Sequence, residues 1–370
     1  MRILLSLHHR LDPNAGAARV IIRLRDEMRA LGHEVDTFSF DDLPSWLPAK
    51  AQPGVFPLFF ARHIAGNRGR WDVIDASSGD GWLAYRGARR AGMPLRVTHS
   101  HGIEHLVARA EREEAAREGR TIALHKRLRR HGLRLAEVGR SFRNADLAMA
   151  LNAAEAGFMQ AELGISPAKI GVARLAVDDA IVAAPLAEPD PGAPFEAVQI
   201  GSYIARKGIA HTAAAMTAVM RRHPDVRLRF LGTLCDAAKV HADYPPDLHD
   251  RIAVVPRFAN GALPDLLAGG TVQLMPSLFE GYGIVKLEAM ARGLIPVVSD
   301  DGGTRTDVED GVNGLVVPVA DDAAMEAAIE RLIGDPALRV RLRNNALATA
   351  ANSSWRRVAA ERLNLYEMAR

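Results

Sequence analysis

The sequence contains a single cysteine, Cys235, so no internal disulfide can brace the chain. That fits a reducing, cytoplasmic setting. Cys235 is expected to act as a small apolar side chain, because no sequence neighbour would lower its pKa and make it reactive. Aromatic residues are scarce, at 5%, and a formal net charge of +3 is spread over the chain. A nucleic-acid binder normally concentrates its basic residues, so that class is set aside. No run approaches the roughly 20 apolar residues of a membrane span. The opening MRILLSLHHR offers too short an apolar stretch for a secretory signal. What is plentiful is ordinary globular material: 370 residues, 48% of them hydrophobic. At roughly 100–200 residues per domain, that length suggests two cores.

Apolar runs alternate with helical patterns from end to end. Arg2 to Leu7 is predicted to be a buried strand, and Ala17 to Leu31 a helix with Val20, Ile21, Leu24, Met28 and Leu31 on one face and Gly32 after it. A strand at Glu34–Phe38 completes a β-α-β unit, which signals a parallel sheet. Further strands are predicted near 73–75, 95–98 and 147–151. Residues 183–194, AAPLAEPDPGAP, place four prolines in twelve positions and are expected to be an interdomain linker. The pattern then restarts, with strands at 197–201, 226–231, 252–255, 272–275 and 296–299 and helices at 209–222 and 284–292. Two consecutive α/β domains predict a ligand cleft at the carboxyl ends of the strands.

The most informative stretch runs from Pro276 to Gly314. A loop carboxylate, Glu280, is followed by Gly281-Tyr282-Gly283, and a helix begins at Ile284. Glycines let a ligand approach the backbone, and a helix N-terminus suits a phosphate. A second carboxylate, Glu288, lies in that helix. Carboxylates repel phosphate and bind hydroxyls, so the combination points to a ligand that carries both, such as a nucleotide-sugar.

Glu280 and Glu288 form E-x7-E, and the run EGYGIVKLEAMARGLIPVVSDDGG resembles the retaining glycosyltransferases of family 4, which have the GT-B fold. The resemblance extends over most of the chain. It takes in PNAGAARV and LGHEV near the N-terminus, Thr98-His99-Ser100-His101-Gly102, Gly201 through Lys207-Gly208, HPDVRLRFLG and the closing NSSWRRVAAERLNLYEMA. It implies two Rossmann-like, doubly wound parallel-sheet domains facing across a cleft. Residues 1–182 would form an acceptor domain joined by a C-terminal helix at 355–370, and residues 195–354 a nucleotide-sugar-binding domain.

The resemblance also assigns roles. Glu288 would bind ribose hydroxyls and Glu280 the transferred sugar, with the Gly283, Ile284 and Val285 amides on sugar and diphosphate. Gly281 belongs to the same donor loop. Lys207 would neutralise the departing diphosphate. The family has an arginine directly after the glycine at Gly201, where this chain has Ser202; Arg206 is the expected substitute. His101 would orient a sugar hydroxyl, with His99 and His105 weaker candidates. Gly16 would bring backbone against the diphosphate or sugar. Base readout is expected near Arg257 and Phe258. The three histidines fit no zinc spacing, and the fold implies no metal and no cofactor beyond the nucleotide-sugar. A second departure from the family lies at 174–178.

The implied reaction moves a sugar to an acceptor hydroxyl with retention, in bacterial envelope or exopolysaccharide synthesis. The acceptor would be a glycan, lipid-linked or small molecule. Residues 109–143 carry eleven Lys and Arg and could meet anionic membrane from the cytoplasmic side, although interspersed glutamates allow a solvated helix face instead. Two rivals share the fold: a binding homologue without turnover, and a sugar-nucleotide epimerase. A nicotinamide dehydrogenase ranks last, because no G-x-G-x-x-G opens a helix after either first strand.

Overall fold

The structure, a computed structural model, describes residues 1–117, 119–128, 132–186 and 192–370. It divides into two compact units, one of residues 1–175 with 355–370 and one of residues 176–354. The dividing point precedes the proline-rich run, of which 187–191 lie outside the described residues.

The first unit is built on six parallel strands: β1 (Arg2–Ser6), β2 (Glu34–Phe38), β3 (Val73–Ser77), β4 (Leu95–His99), β5 (Leu147–Ala150) and β6 (Ile170–Val172). Their order is β2-β1-β3-β4-β5-β6. Between β1 and β2 runs the helix Gly16–Ala30, which buries Val20, Ile21, Leu24 and Met28. Gly32 ends that excursion at φ +88°, a left-handed turn that glycine enters without a Cβ clash. The central strands are buried along their length, with Ile3, Leu4, Leu5, Val73 and Val97 almost wholly covered, as expected when helices flank both faces of a sheet.

The second unit holds β7 (Glu196–Ile200), β8 (Arg227–Leu231), β9 (Ile252–Val255), β10 (Val272–Met275), β11 (Ile295–Ser299) and β12 (Leu315–Val317), again all parallel. The order is β12-β11-β10-β7-β8-β9. The helix Ile209–Arg222 lays Ala213, Ala215, Met216, Val219 and Met220 into its main core. Truncating one of these, Met216→Ala, should cost about 2–5 kcal/mol.

Both sheets are doubly wound, as the sequence implied, but they are wound differently. Numbered within its own unit, the second sheet runs 3-2-1-4-5-6 and the first 2-1-3-4-5-6. Each order reverses direction beside its first strand, and ligands of such sheets bind at the carboxyl ends of the strands flanking that reversal. The points to inspect are therefore the ends of β1 and β3 in one unit, and of β7 and β10 in the other. Among the described residues, no helix is long and apolar enough to cross a membrane.

Candidate functional site

In the second unit the loops after β7 and β10 meet. Gly201 leaves β7 at φ +126°, and the chain returns through Arg206 and Lys207 to Gly208 at φ +68°. A Cβ on Gly208 would sit 1.9 Å from the Pro276 carbonyl oxygen, so only glycine lets the two loops touch. The contact is fixed by Leu278 N–H donating to the Arg206 carbonyl at 2.9 Å, and by Gln199 Nε2 donating to the Lys207 carbonyl at 2.9 Å. Lys207 Nζ thereby ion-pairs with Glu280 Oε2. Arg206 Nη1 lies 3.4 Å from the same oxygen and donates to the Phe279 carbonyl at 2.9 Å.

Burial alone would raise the Glu280 pKa, but Lys207 and Arg206 outweigh it and hold the carboxyl below its ordinary value. Arg206 thus brings its charge to the carboxylate that Lys207 holds. Ser202 contributes its carbonyl, which accepts from Ile204 N–H at 3.0 Å.

Gly283, at φ +71°, caps the helix Ile284–Ala291; a Cβ there would collide with Met275 at 2.1 Å. Gly303 is equally constrained, since its Cβ would fall 1.7 Å from the Glu280 carbonyl oxygen. The Glu280 loop therefore packs against the Gly303 backbone on one side and the Met275 side chain lies against Gly283 on the other. The helix start presents the amides of Ile284 and Val285 just beyond Gly281 and Gly283. Glu288 is only 2% exposed, which rules out a solvated helix position.

Two further groups complete this edge, and neither was singled out from the sequence. Lys286 is fully buried within the helix, donates to the Tyr282 and Gly303 carbonyls, and lies 4.1 Å from the Tyr282 ring centroid. A lone lysine in the apolar run IVKLEAMA was the available signal. Asp301 receives Thr304 N–H at 2.7 Å and Thr304 Oγ1–H at 2.6 Å on Oδ1, while Oδ2 is buried with no hydrogen-bond partner among the described residues. Burial, and to a lesser degree the nearby Glu280, push Asp301 up to about 6.

The first unit brings a different set to its carboxyl edge. After β1, Ser6 Oγ donates to Asp80 Oδ2 at 2.8 Å, and His8 Nδ1 lies 2.9 Å from Asp80 Oδ1. After β3, Ser78 occupies the left-handed region at φ +50°, a strained position for a residue with a Cβ. At the end of β4, His99 Nδ1 lies 2.6 Å from Asp75 Oδ1, and His99 Nε2 lies 3.1 Å from His101 Nε2.

Asp75 also accepts from Arg362 Nη2 at 2.6 Å and from Tyr366 Oη, both on the helix Trp355–Ala369. Although burial opposes it, the adjacent Arg362 guanidinium and His99 hold the Asp75 carboxyl well below its usual range. Burial lowers the pKa of His99, and that of His101 further still, so both rings are neutral near pH 7. His105 stands apart from this chain and packs on Phe158 at 5.6 Å between ring centroids.

The loop carrying His101 is fastened by Glu155, whose Oε1 accepts from Ser100 Oγ at 3.0 Å and Ile103 N–H at 2.9 Å and whose Oε2 accepts from Leu151 N–H at 2.9 Å. A cavity of about 250 Å³ opens nearby, lined by His8, Pro53, Glu104 and Arg134 among others. A larger cavity, about 710 Å³, is lined by Arg2, Trp71, Asp72 and Pro94 at the amino ends of β1, β3 and β4, the wrong edge for a ligand of this sheet. At Gly16, an added Cβ would meet no protein atom, so internal packing does not require the glycine.

Within the basic segment at 109–143, three of the described arginines form ion pairs. Arg109 pairs with Glu162, Arg117 with Glu114, and Arg134 with Glu104 and Glu137. Residues 118 and 129–131, and the side chains of 125 and 126, lie outside the description.

Two family models tile the chain: Glycosyltransferase Family 4 over residues 14–180 and Glycosyl transferases group 1 over residues 187–349. An MMP alpha-(1->4)-mannosyltransferase from Mycolicibacterium hassiacum is 28% identical over 88% of this chain and 78% of its own. An alpha-D-kanosaminyltransferase from Streptomyces kanamyceticus and an alpha-maltose-1-phosphate synthase from Mycobacterium tuberculosis align over 38% and 48% of their own length. Among solved structures, a sucrose-phosphate synthase from Thermosynechococcus elongatus superposes with TM-score 0.78 at 19% identity, covering 99% of this chain and 98% of that one. Anabaena Alr3699/HepE, solved with UDP-glucose, gives 0.68 at 19% identity, covering 98% and 100%.

Proposed function

We propose that this chain, a GT-B glycosyltransferase with a family 4 first domain and a group 1 second domain, moves a sugar from a nucleoside-diphosphate sugar to an acceptor hydroxyl with retention of configuration. One observation carries the reading. Lys207 and Arg206 converge on Glu280 at the strand-order reversal of the second sheet, next to a helix N-terminus. Two cations and a row of free amides suit the two negative charges of a departing diphosphate. Glu280 holds the cations in place until the donor arrives, and then faces sugar hydroxyls that it can accept from. Glu288 takes the ribose hydroxyls, and the Gly283, Ile284 and Val285 backbone meets sugar and diphosphate. The positive charge is supplied by side chains and backbone, so the reaction needs no metal ion. His101 and the Gly16 backbone serve substrate groups in the first domain. Retention follows if the acceptor attacks from the face that the diphosphate leaves, with the leaving phosphate taking the proton. The setting proposed for this transfer is bacterial envelope or exopolysaccharide synthesis.

The test is a thermal-shift screen against UDP, GDP, ADP and their common sugars in the presence of EDTA. A ligand at 100 times its Kd adds about 2.7 kcal/mol of stability. One nucleotide series should raise the melting temperature, and Glu288→Ala should abolish the rise. No shift with any nucleotide would overturn the reading. The anomeric configuration of the product, read by NMR, decides retention.

A further inference from the structure

The chain Asp75–His99–His101 uses up every hydrogen-bonding atom of its members but one. Asp75 Oδ2 is taken by Arg362 and Tyr366, and Oδ1 by His99 Nδ1. His99 Nε2 meets His101 Nε2 at 3.1 Å. Only His101 Nδ1 makes no hydrogen bond among the described residues.

Charge then fixes where the protons sit. One carboxylate already faces one guanidinium, in a cluster where Asp75 is fully covered and Arg362 and His99 are only 3% exposed. Asp75 therefore has no charge to spare for an imidazolium. The other groups facing these rings are the rings of His8 and His9 and the carboxylate of Asp80, which accepts from Ser6 Oγ and favours a charged His99 less than burial disfavours it. An ionised Asp75 only accepts, so His99 carries its proton on Nδ1. The bare His99 Nε2 then accepts, so His101 carries its proton on Nε2. His101 Nδ1 is left as a lone pair.

We infer that Asp75 and His99 are positioning residues that lock His101 with an unprotonated Nδ1, so that this atom accepts a hydrogen bond from a substrate hydroxyl and cannot donate one to a phosphate or carbonyl oxygen. The identity of the hydroxyl rests on the glycosyltransferase reading; the tautomer does not. The same logic explains why the C-terminal helix returns to the first unit with Arg362 and Tyr366 in its buried face. Those residues keep Asp75 ionised, and the proton order follows from that.

The test reads the ring nitrogens directly, by long-range proton–nitrogen NMR on the full chain labelled with ¹⁵N-histidine at pH 7. His99 should show a protonated Nδ1 and His101 a protonated Nε2 with a bare Nδ1. Addition of UDP should leave that Nδ1 unprotonated. Asp75→Asn should convert His101 to a mixture of tautomers. Should that variant not fold, His99→Gln offers His101 a group that can accept or donate, and should also give a mixture. A proton on His101 Nδ1 in the parent protein, with or without UDP, overturns the inference. So does a pure Nε2–H tautomer that survives in whichever variant folds. Failure of the donor-binding screen would leave the tautomer result standing, so the two readings fall separately.

Discussion

The two carboxyl edges handle charge in opposite ways. In the second domain, Lys207 and Arg206 gather at a loop–helix junction around one carboxylate, with 15% and 29% of their side chains exposed. In the first, the buried carboxylate of Asp75 is spent inward on Arg362, that of Asp80 accepts from Ser6, and beside them stands a pair of neutral imidazoles. On the proposed function, the difference separates a half suited to an anion from one suited to hydroxyls. A diphosphate needs cations that it can reach and that shed their protein partner cheaply. A sugar or acceptor hydroxyl needs an oriented, uncharged partner, and a rigid buried cluster provides one.

The sharpest way to break the comparison is to remove the inward charge. Arg362→Met leaves Asp75 buried and unpaired, and should destabilise the protein by about 3–5 kcal/mol. The measurement is urea unfolding; adding Asp75→Asn to the same chain should recover most of the loss. If Arg362→Met lowered turnover with unchanged stability, the charge in the first domain would be functional and the contrast would fail. Lys207→Ala should do the reverse. Arg206 still faces Glu280, so folding should change little, while kcat should fall about 100-fold, or some 2.7 kcal/mol of barrier. Steady-state kinetics with the nucleotide-sugar selected by thermal shift would check this, and an unchanged kcat would remove Lys207 from the leaving-group role.

A smaller effect concerns the loop that carries His101. Burial raises Glu155 to about 7, against an ordinary value of 4.5. Between those two values the folded protein keeps the proton and the unfolded chain loses it. Stability should therefore fall as pH rises from about 4.5 to 7, and be flat in this respect outside that window. The change should be on the order of 3 kcal/mol. Denaturation series at several pH values, compared between the parent and Glu155→Gln, isolate the slope; identical slopes would show that Glu155 does not hold the proton.

Much of this was legible in the sequence because it is local. Strand and helix periodicity located Glu34–Phe38, Ile209–Arg222 and Val272–Met275 to the residue, since apolar runs between turn signals need no tertiary information. The spacing of Glu280, Glu288 and Lys207 was likewise visible. What was not legible depends on distance in sequence. Strand order is decided by crossovers, so the first sheet's 2-1-3 winding left no local mark. β6 and β12, three residues each, are too short to show a pattern. Asp75 meets Arg362 across 287 positions, and each alone reads as an ordinary charge. The proline-rich run suggested a boundary at 183, whereas the compact units divide at 175, within the second departure at 174–178. Up to Pro185 the chain is anchored in the second unit, where Arg292 donates to the carbonyls of Ala184 and Pro185.

The subtlest prediction concerns Ser202, where the family resemblance leads one to expect arginine. If Arg206 has taken over that charge, restoring the family residue should add little: Ser202→Arg should change kcat/KM by less than about threefold, because the Glu280 oxygen already faces two cations. Arg206→Ser should cost about tenfold, close to 1.4 kcal/mol, the loss of one partly exposed charge contact. The combined Ser202→Arg, Arg206→Ser protein should then regain most of the parent activity, since the charge returns from the other side of the same loop. That pattern requires coupling between the two positions, which double-mutant kinetics measures directly. Additive effects would mean that Arg206 only holds the Phe279 carbonyl. The cationic edge would then rest on Lys207 and the helix amides alone, and the contrast with the first domain would narrow to a single side chain.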